Sequence, residues 1–494
     1  MLLSELTGLL VTAKLEGGDL RPGGLCTDSR KVKPGDLFFC LPGHTVDGHD
    51  YAAAAVERGA AALVVERRLP LDVPQIVVKD SRLAMAVMSD RFYGSPSARV
   101  KLIGVTGTNG KTTTTHLIES ILQEAGRTCG VIGTIEARFG GRSLPMSGTT
   151  PDALELQRLL AGMAAEGTAY CAMEVSSHAL EQGRVKGAKF RTAVFTNLTQ
   201  DHLDYHGTME RYAAAKELLF ARLGNVYPAQ PDERAYAVLN ADDPASAAFA
   251  RATAAETITY GIDRPADVRA EDIRITARGT SFKAVTFRGE ADIALRLVGK
   301  FNVYNALAAI AAALVEDVSL EDVKEGLERV QGVPGRVEAV DAGQPFAVIV
   351  DYAHTPDGLE NVLKAVKEIA ERRLILVFGC GGDRDRGKRP IMGRIGARYA
   401  DHVILTSDNP RTEHPEAILD DIEAGLREDG VSAERYERIA DRRAAIEKAV
   451  EMASPGDVVL IAGKGHETYQ IIGDRKIDFD DRLVAGEAIR RRRP

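Results

Sequence analysis

A glycine-rich loop between an apolar run and a helical pattern places the strongest constraint on the fold of this chain. The apolar run is residues 100–106, and Leu117, Ile118, Ile121 and Leu122 recur at helical spacing after the loop. Further short apolar runs alternate with helical stretches, at residues 170–175, 193–195 and 235–239. This alternation is typical of an α/β fold in which helices cover both faces of a parallel sheet.

The loop itself has the composition of a phosphate-binding site. It consists of Gly107, Thr108, Asn109, Gly110, Lys111, Thr112 and Thr113. Backbone N–H groups in such a turn point together at an anion, and the start of a helix adds partial positive charge. Lys111 adds a full charge, and the hydroxyl of Thr112 is placed to ligate Mg²⁺. The spacing G-x-x-G-K-T-T is shorter than that of a regular Walker A loop. We interpret it as an ATP site, the alternative being a plain turn with a surface lysine.

The length of 494 residues predicts three domains. Clusters of Ser, Pro and Gly near residues 95–97 and 332–335 divide the chain into modules 1–97, 98–333 and 334–494. The first module contains a strand-like run at 35–41, a helical run at 51–58 and a second strand-like run at 61–65.

The third module contains four strong strand candidates, and each is followed at once by polar, Gly-rich residues. The candidates are residues 347–350, 374–378, 402–406 and 458–462. Ligands of open α/β sheets bind at the carboxyl ends of the strands. We therefore expect the four segments after these strands to line one crevice.

Composition excludes several classes of function. The net charge of −8 does not suggest a nucleic-acid binder, and the arginines at 490–493 are interpreted as a solvated tail. The cysteines are odd in number, far apart and without a C-x-x-C pair, so disulfides or a zinc ribbon are not expected; they are Cys26, Cys40, Cys129, Cys171 and Cys380. With no signal peptide and no apolar run of about 20 residues, we expect a cytoplasmic protein that does not cross a membrane.

Motifs in all three modules resemble those of the Mur ligase family, which also includes folylpolyglutamate synthetases. The N-terminal module has a matching stretch at 27–30 with 34–38. The central module matches at the loop and at 149–151, 174–178 and 197–207, and the last module at 351–357 and 463–467. The resemblance covers nearly the whole chain. It implies a central P-loop domain that binds ATP, flanked by an N-terminal UDP-binding α/β domain and a C-terminal Rossmann-like domain.

The branch of the family that the chain resembles most builds a peptidoglycan precursor. The implied substrates are ATP, UDP-N-acetylmuramoyl-L-alanyl-D-glutamate and meso-2,6-diaminopimelate. ATP would phosphorylate the D-glutamate carboxylate, and the amine of the incoming amino acid would attack the acyl phosphate, giving ADP and phosphate. The family also implies Mg²⁺, with two ions expected, and a monomer is expected here.

The resemblance assigns the central catalytic groups to Lys111, Glu174, His202 and Lys216. Thr112, Glu174 and His202 match ligands of Mg²⁺. The lysine that matches Lys216 is carbamylated in the family, which turns a cation into a carboxylate for the second ion and requires a neutral amine. From the residues alone, a structural carboxylate, a surface histidine and a solvated helix lysine remain alternatives.

Further positions match contacts to the two nucleotides. Asn302 matches an adenine contact, and Arg336 and Asp351 match residues that reach ATP from the C-terminal domain. A helix-start asparagine and a linker arginine are the alternatives. Contacts to the UDP end match Ser29, His44, Thr45 and Val46. Contacts toward the muramoyl-peptide end match Thr149, Thr150, Ser176, Gln182 and Arg184, whereas Gly148 departs from an asparagine of some relatives.

The residues 408–411 discriminate between acceptor amino acids. Diaminopimelate carries a distal carboxylate that lysine lacks, and a guanidinium recognises a carboxylate through paired hydrogen bonds. The matching contacts are Arg384, Asp408, Asn409, Pro410, Arg411, Gly463 and Glu467. His414 departs from the expected acidic or amide residue. The alternatives are an L-lysine-adding ligase of the family, a folylpolyglutamate synthetase and, in another class, an ATP-driven switch.

Overall fold

The computed structural model describes residues 1–43, 46–146, 148–228, 230, 233–276 and 279–492. The chain forms two compact units. The first comprises Met1–Gly104 and Thr128–Arg191, and the second comprises Val105–Arg127 and Thr192–Pro494. The division into three modules with boundaries at 97 and 333 stays a prediction.

The first unit begins with a five-stranded sheet. In spatial order its strands are Lys14–Glu16, Gln75–Val77, Ala62–Val65, Asp36–Phe39 and Gly24–Cys26, and only the first of these is antiparallel to its neighbour. The helices of this part are Leu3–Thr7, Ala52–Glu57 and Ser81–Phe92. Every residue of Asp36–Phe39 and Ala62–Val65 is buried, because apolar clusters cover both faces of the sheet. The predicted strands and helix of this region are confirmed.

The rest of the first unit is a second group of strands. Tyr170–Glu174 runs parallel to Cys129–Ile132, which continues into the antiparallel strands Glu136–Phe139 and Arg142–Pro145. The helices Ala153–Ala165 and Ser177–Glu181 accompany them. The strand Lys101–Thr106 passes from the first unit into the second, as does Phe190–Phe195.

The second unit contains a parallel series followed by an antiparallel meander. Phe190–Phe195, Tyr236–Asn240, Glu256–Gly261 and Val268–Thr276 are parallel, and Gly279–Thr286 and Gly289–Leu295 continue antiparallel. The helices are Lys111–Glu124, Leu203–His206, Met209–Ala221, Ser246–Ala252, Lys300–Leu314 and Leu320–Arg329. The expected parallel strands are confirmed. The meander departs from that pattern because its strands alternate buried with more exposed residues: Phe282 and Ala284 are buried, Ser281 is exposed and Lys283 is half-buried.

The second unit ends in a six-stranded sheet. Its order is Glu338–Ala339, Ala347–Asp351, Val458–Ala462, Leu374–Phe378, His402–Leu405 and Tyr436–Arg438, all parallel except the first. Its helices are Pro356–Ile369, Lys388–Tyr399, Pro415–Glu428, Arg442–Met452 and Asp481–Arg492, and Tyr469–Ile472 pairs with Arg475–Asp478. The four predicted strands are adjacent in this sheet, so their carboxyl ends meet at one edge as expected.

The core of this sheet follows the alternation of side chains along its strands. Val348 and Val350 belong to the apolar cluster on one face, and Ile349 belongs to the cluster on the other. Within the described ranges, no helix combines the length and the apolar character needed to span a bilayer.

Candidate active site

The glycine loop begins where the strand Lys101–Thr106 ends, and the helix Lys111–Glu124 begins at its last lysine. Gly107 has φ +150°, and a Cβ there would collide with the hydroxyl of Thr196. The loop is held by Asn197, whose carbonyl oxygen accepts from Thr108 N at 2.8 Å and whose Oδ1 accepts from Asn109 N at 2.9 Å. The sequence thus produces the predicted turn at a helix N-terminus, where an anion is favoured.

Two lysine side chains converge on this loop. Lys111 Nζ donates to the carbonyl oxygens of Gly107 at 2.9 Å and Thr108 at 2.8 Å, and Lys216 Nζ donates to Gly107 O at 2.8 Å. Lys216 is 1% exposed and lies over the ring of Tyr212. Burial, followed by the charge of Lys111, lowers the pKa of Lys216 well below its ordinary value. The alternative of a solvated helix lysine does not hold, because this side chain is buried in an environment that favours its neutral form.

A cavity of about 260 Å³ lies beside the loop, entirely within the second unit. Of the predicted ATP contacts, its lining includes Asn109, Gly110, Thr113, Arg336 and Asp351. The lining also includes residues that sequence reasoning missed, among them Asn197, Tyr260, Tyr304, Asn305, Tyr352 and Asp357. Aromatic and amide groups beside a glycine loop are suited to hold a base and a phosphate chain.

Arg336 reaches the start of the helix from the C-terminal part of the chain. Its Nη2 donates to Thr112 Oγ1 at 3.0 Å, and its guanidinium lies over the ring of Tyr352 at 4.7 Å. The carboxylate of Asp351 accepts from Val337 N at 2.7 Å and from Ala353 N at 2.8 Å. Burial raises the pKa of Asp351, and Arg336 opposes that shift. Asp351 therefore fixes the backbone next to Arg336 as well as lining the cavity.

The predicted adenine contact, Asn302, follows directly after Phe301, which lines the cavity. Asn302 is buried, donates to Val298 O at 2.9 Å and accepts from Asn305 Nδ2 at 3.1 Å, and it is absent from the described lining. Asn305 lines the cavity instead and packs against the loop, since a Cβ at Gly110 would collide with its side-chain oxygen. The spacing of three residues on the helix Lys300–Leu314 could have indicated this pair.

His202 adopts a left-handed backbone, with φ +55°. Its backbone N–H donates to Asp201 Oδ1 at 2.9 Å, and its Nε2 lies 3.2 Å from Asp201 Oδ2. Asp201 is 3% exposed and also faces Lys388 and His354 at 3.8 and 3.9 Å. Burial opposes the ionised form of this carboxyl, but His202, Lys388 and His354 hold the pKa of Asp201 below its usual range. Asp201 is thus an anionic centre that sequence reasoning missed.

Glu174 ends a buried strand of the first unit, as predicted. Its Oε1 accepts from Thr134 N at 2.8 Å and its Oε2 accepts from Thr134 Oγ1 at 3.0 Å. Thr134 Oγ1 also lies within hydrogen-bond distance of Thr149 Oγ1, at 3.1 Å. Among the described residues no group of three or more His, Cys, Asp and Glu side chains is placed to hold a metal. The predicted metal set includes a hydroxyl and a lysine, so it does not depend on such a group.

A cavity of about 430 Å³ in the first unit is lined by three of the five residues predicted for the muramoyl-peptide end, Thr150, Gln182 and Arg184, and also by Gly148. Thr149 and Ser176, the other two, are not in its described lining. Arg184 donates to Thr150 O at 3.0 Å and to Gln182 Oε1 at 2.7 Å, and Ser176 N donates to Thr150 Oγ1 at 3.0 Å. Among the described residues, no atom lies within 4 Å of where a Cβ at Gly148 would be.

A second cavity of the first unit, of about 550 Å³, lies beside the segment predicted for the UDP end. Its lining includes Thr27, Asp28, Lys31, Lys33 and Tyr93, whereas Ser29 is absent from it. Ser29 begins a short 3₁₀ helix that Asp28 caps by accepting from Arg30 N. Val46 is 55% exposed, and the predicted contacts His44 and Thr45 lie outside the described residues.

The acceptor motif lies directly after the strand His402–Leu405, at the edge where the neighbouring strands also end. Asp408 is buried. Gly463 has φ +116°, and a Cβ added there would lie only 2.6 Å from Asp408 Oδ2. A side chain at Gly463 would displace that carboxylate. Pro410 precedes Arg411, whose Nη1 donates to Gly382 O at 2.7 Å. The structure therefore brings the predicted residues of two loops together.

A buried lysine underlies the predicted acceptor contacts. Lys464 is fully buried, and its Nζ donates to Glu467 Oε2 at 2.8 Å and to Asn409 Oδ1 at 3.2 Å. Asn409 Nδ2 also donates to Glu467 Oε2 at 2.9 Å. In the described part of the chain Arg384 and Arg411 form no ion pair with a carboxylate, and burial, with Arg384 next in effect, lowers the pKa of Arg411. Such an edge suits a ligand group that carries both an amine and a carboxylate.

Models of three parts of one family match the chain. The Mur ligase family catalytic domain matches residues 23–93, the Mur ligase middle domain matches 105–313, and the Mur ligase glutamate ligase domain matches 335–465. The three matches fall inside the three predicted modules.

Whole-length relatives agree with these matches. The UDP-N-acetylmuramoyl-L-alanyl-D-glutamate–2,6-diaminopimelate ligase of Geobacillus thermodenitrificans is 57% identical over 495 residues, covering 100% of this chain and 99% of the relative. A solved structure of a ligase with that name shares 37% identity over 95% of both chains, with a TM-score of 0.66. The MurF ligase of Thermotoga maritima in complex with ADP has the same fold, with 19% identity over 94% of this chain and 96% of that one, and a TM-score of 0.64. The chain therefore belongs to the Mur ligase family.

Proposed function

We propose that the chain ligates meso-2,6-diaminopimelate to UDP-N-acetylmuramoyl-L-alanyl-D-glutamate and converts ATP to ADP and phosphate. The reaction supplies a peptidoglycan precursor, and we place it in the cytoplasm with the enzyme as a monomer. The observation that carries the proposal is the 57% identity, over the full chain, to a ligase named for these two substrates. The acceptor edge around Arg411 and Glu467 supports the same assignment.

The reaction divides into two transfers. An oxygen of the D-glutamate carboxylate attacks the γ-phosphorus of ATP, and the bond to the ADP oxygen breaks. The amine nitrogen of diaminopimelate then attacks the acyl carbon and loses a proton, while the carbon–oxygen bond to phosphate breaks. Both steps bring negative groups together, so the protein must supply positive charge and fixed geometry.

The cavity beside the glycine loop is the proposed ATP site. Loop N–H groups and Lys111 would hold the phosphates, while Tyr260, Tyr304 and Asn305 line the end proposed for the base. Arg336 already reaches Thr112, at 3.0 Å, so its charge lies at the start of the helix where the phosphates are proposed. The guanidinium of Arg336 would pair with the phosphates of bound ATP. In that position it would replace water around the reacting groups.

The residues present fit Mg²⁺ in their chemistry. The hydroxyl of Thr112, the carboxylate of Glu174 and the imidazole of His202 are proposed ligands, and a carbamate on Lys216 would add oxygen donors of the type Mg²⁺ prefers. When bound, the ions neutralise charge on phosphoryl oxygens. Thr112 would give up the hydrogen bond that it accepts from Arg336 if its hydroxyl were to hold the ion. Asp201, 3.2 Å from His202 Nε2, would fix the orientation of the imidazole.

The burial of Lys216 supports the proposed carbamate. Carbamylation requires an uncharged amine, and this amine lies beside Lys111 with its pKa lowered. The dipeptide substrate is assigned to the first unit, with Thr149, Thr150, Ser176, Gln182 and Arg184 at the peptide end. Ser29, His44, Thr45 and Val46 are proposed for the UDP end.

The acceptor is assigned to the edge of the C-terminal sheet. The guanidiniums of Arg384 and Arg411 would bind the distal carboxylate, and Glu467 with Asp408 would accept from the distal ammonium; Asn409, Pro410 and Gly463 shape the site. L-Lysine lacks that carboxylate, so the guanidinium of Arg411 would have no substrate carboxylate to bind. The enzyme should therefore reject L-lysine strongly.

A substrate assay tests the proposal. Purified protein is incubated with ATP, Mg²⁺ and the UDP dipeptide, and with meso-diaminopimelate or L-lysine, while a separate reaction offers a folate and L-glutamate. The expected result is a tripeptide product by mass spectrometry, with ADP and phosphate, only with diaminopimelate. Equal turnover of L-lysine would overturn the acceptor assignment, and AMP as the product would overturn the acyl phosphate. ATP hydrolysis without any ligation would favour a switch.

A further inference from the structure

Two residues without glycine's freedom adopt left-handed backbone at the acceptor edge. Asp383 has φ +54° and Arg411 has φ +53°. They belong to two neighbouring loops, 379–387 and 408–413, which also carry Arg384 and Arg411 as proposed acceptor contacts. Such conformations are sparsely populated and persist where the surrounding structure holds them, often at functional sites.

Direct hydrogen bonds join the two loops. Asp383 Oδ1 accepts from Thr412 Oγ1 at 2.7 Å, and Asp383 N donates to Glu413 Oε1 at 2.6 Å. The loops also approach closely, since a Cβ at Gly381 would lie 2.9 Å from Arg411 Nη1 and one at Gly382 would collide with Pro410 O. The position of the Arg411 guanidinium therefore depends on the backbone of the opposite loop.

A buried arginine stands behind both loops. Arg389 lies in the first turn of the helix Lys388–Tyr399 and is fully buried. Its Nη1 and Nη2 donate to the two oxygens of Glu413 at 2.9 and 2.7 Å. Nη2 also donates to Gly381 O at 3.2 Å, and Nη1 donates to Asp421 Oδ2 at 2.8 Å. One guanidinium thus contacts the backbone of one loop and the carboxylate of the other.

We propose that Arg389 and Glu413 are positioning residues for acceptor recognition: the two-pronged ion pair between the buried Arg389 and the half-buried Glu413 fixes the left-handed backbone at Asp383 and Arg411, and so aims Arg384 and Arg411 at the distal carboxylate. Arg389 acts through the loops, because a fully buried guanidinium has no surface for a substrate. This inference rests on the proposed function.

The alternative role for the pair is purely structural. Asp421 lies on the helix Pro415–Glu428, so Arg389 also joins that helix to its own. A residue that only stabilises the helix pair would lower the melting temperature without changing one substrate's KM selectively. The positioning role instead predicts a change confined to the acceptor, because a small misplacement of a recognising group is costly.

Steady-state kinetics on the full chain separates the two roles. The variants are Arg389→Lys, which keeps the charge but loses the paired hydrogen bonds of the guanidinium, and Glu413→Gln, which keeps the shape of the side chain but loses its charge. The matched control is Arg394→Lys, because Arg394 pairs with Glu428 at 2.6 Å across the same two helices but at the surface. The KM values for ATP, the UDP dipeptide and diaminopimelate are measured, together with kcat/KM for L-lysine.

We expect both variants to raise KM for diaminopimelate about tenfold or more and to reduce its preference over L-lysine, with KM for ATP unchanged. Arg394→Lys should match the wild type. Should Arg389→Lys not fold, Glu413→Gln decides the question. An unchanged acceptor KM, or equal rises for all three substrates, would overturn this inference while wild-type ligation still upholds the proposed function. A wild type that ligates no diaminopimelate would overturn the function and, with it, this inference.

Discussion

Lys111 and Lys216 donate to the same carbonyl oxygen, that of Gly107, at 2.9 and 2.8 Å. Two ammonium groups on one acceptor repel each other, and this repulsion adds to the burial that lowers the pKa of Lys216. A neutral Lys216 amine relieves the conflict and still donates its hydrogen bond. The glycine loop therefore pairs one charged lysine, suited to a phosphate, with one amine suited to carbamylation.

Removing the Lys216 amine should abolish most of the ligation. We expect Lys216→Ala to lose about 100-fold or more in kcat, because the proposed carbamate can no longer supply its oxygens, and we expect acetate or formate to restore part of it. The readout is phosphate release at saturating substrates. Lys364→Ala is the control, since Lys364 also lies over a tyrosine ring but at the surface of a helix. Wild-type activity of Lys216→Ala would remove the carbamate from the mechanism.

Asn305 should be required for normal ATP binding, although the adenine contact predicted from the sequence is Asn302. It lies between the side chain of Asn302 and the glycine loop, so Asn305→Ala leaves Asn302 without that donor and loosens the packing at Gly110. We expect KM for ATP to rise about tenfold, with KM for diaminopimelate unchanged. The control is Asn225→Ala, since the amide of Asn225 donates to Ala221 O at the surface, at 3.2 Å. An unchanged KM for ATP would mean that residues other than Asn305 form the adenine end of the site.

Local features of the fold were predictable from the sequence. The strand, glycine loop and helix around Lys111 follow from apolar spacing, and the four strands of the C-terminal sheet follow from short buried runs between Gly-rich segments. The crevice at their carboxyl ends follows from the parallel arrangement alone. The antiparallel strands from Gly279 to Leu295 were not expected, because their alternation is short and mixed with charged residues.

Contacts between distant segments could not be predicted. Arg336 reaches Thr112 across 224 positions, and Asn305 meets Thr114 across 191. Arg389 is one of several cationic residues in the segment 384–389, and nothing in the sequence marks it as the fully buried one. Its acidic partners, Glu413 and Asp421, come from another loop and another helix. Only the fold reveals which charged residues meet.

Lys464 should be required for acceptor binding although it is fully buried. Its ammonium group orients Glu467 and Asn409 together, so Lys464→Met leaves both polar groups without that donor. We expect KM for diaminopimelate to rise about tenfold, while KM for ATP stays unchanged. Both Lys464 and Lys476 lie over the ring of Tyr469, at 5.4 and 3.7 Å from its centroid. Lys476→Met is therefore a matched control, because Lys476 belongs to an exposed strand. Equal effects of the two variants would argue against a specific role.

The Arg389–Glu413 pair should also contribute to stability in a pH-dependent way. The hydrogen bonds from Arg389 lower the pKa of Glu413 from 4.5 to about 2. A carboxyl whose pKa is lower in the folded state stabilises the protein above its unfolded pKa, and this stabilisation is lost as the pH falls through the folded value. The contribution is therefore complete at pH 7 and decreases between about pH 4.5 and 2.

Thermal unfolding of the wild type and Glu413→Gln at several pH values measures this contribution. The glutamine variant lacks the ionisation but keeps the size of the side chain, so it should melt at a lower temperature at pH 7. The difference between the two proteins should shrink as the pH is lowered from 5 towards 3, because over this range the Glu413 carboxylate of the unfolded chain gains a proton while that of the folded protein stays ionised, and glutamine exchanges no proton in either state. Glu428→Gln, which changes an exposed partner of Arg394, should show little difference at any pH. A difference for Glu413→Gln that stays constant over this range would mean that the pair stabilises the fold through its shape and hydrogen bonds rather than through its charge.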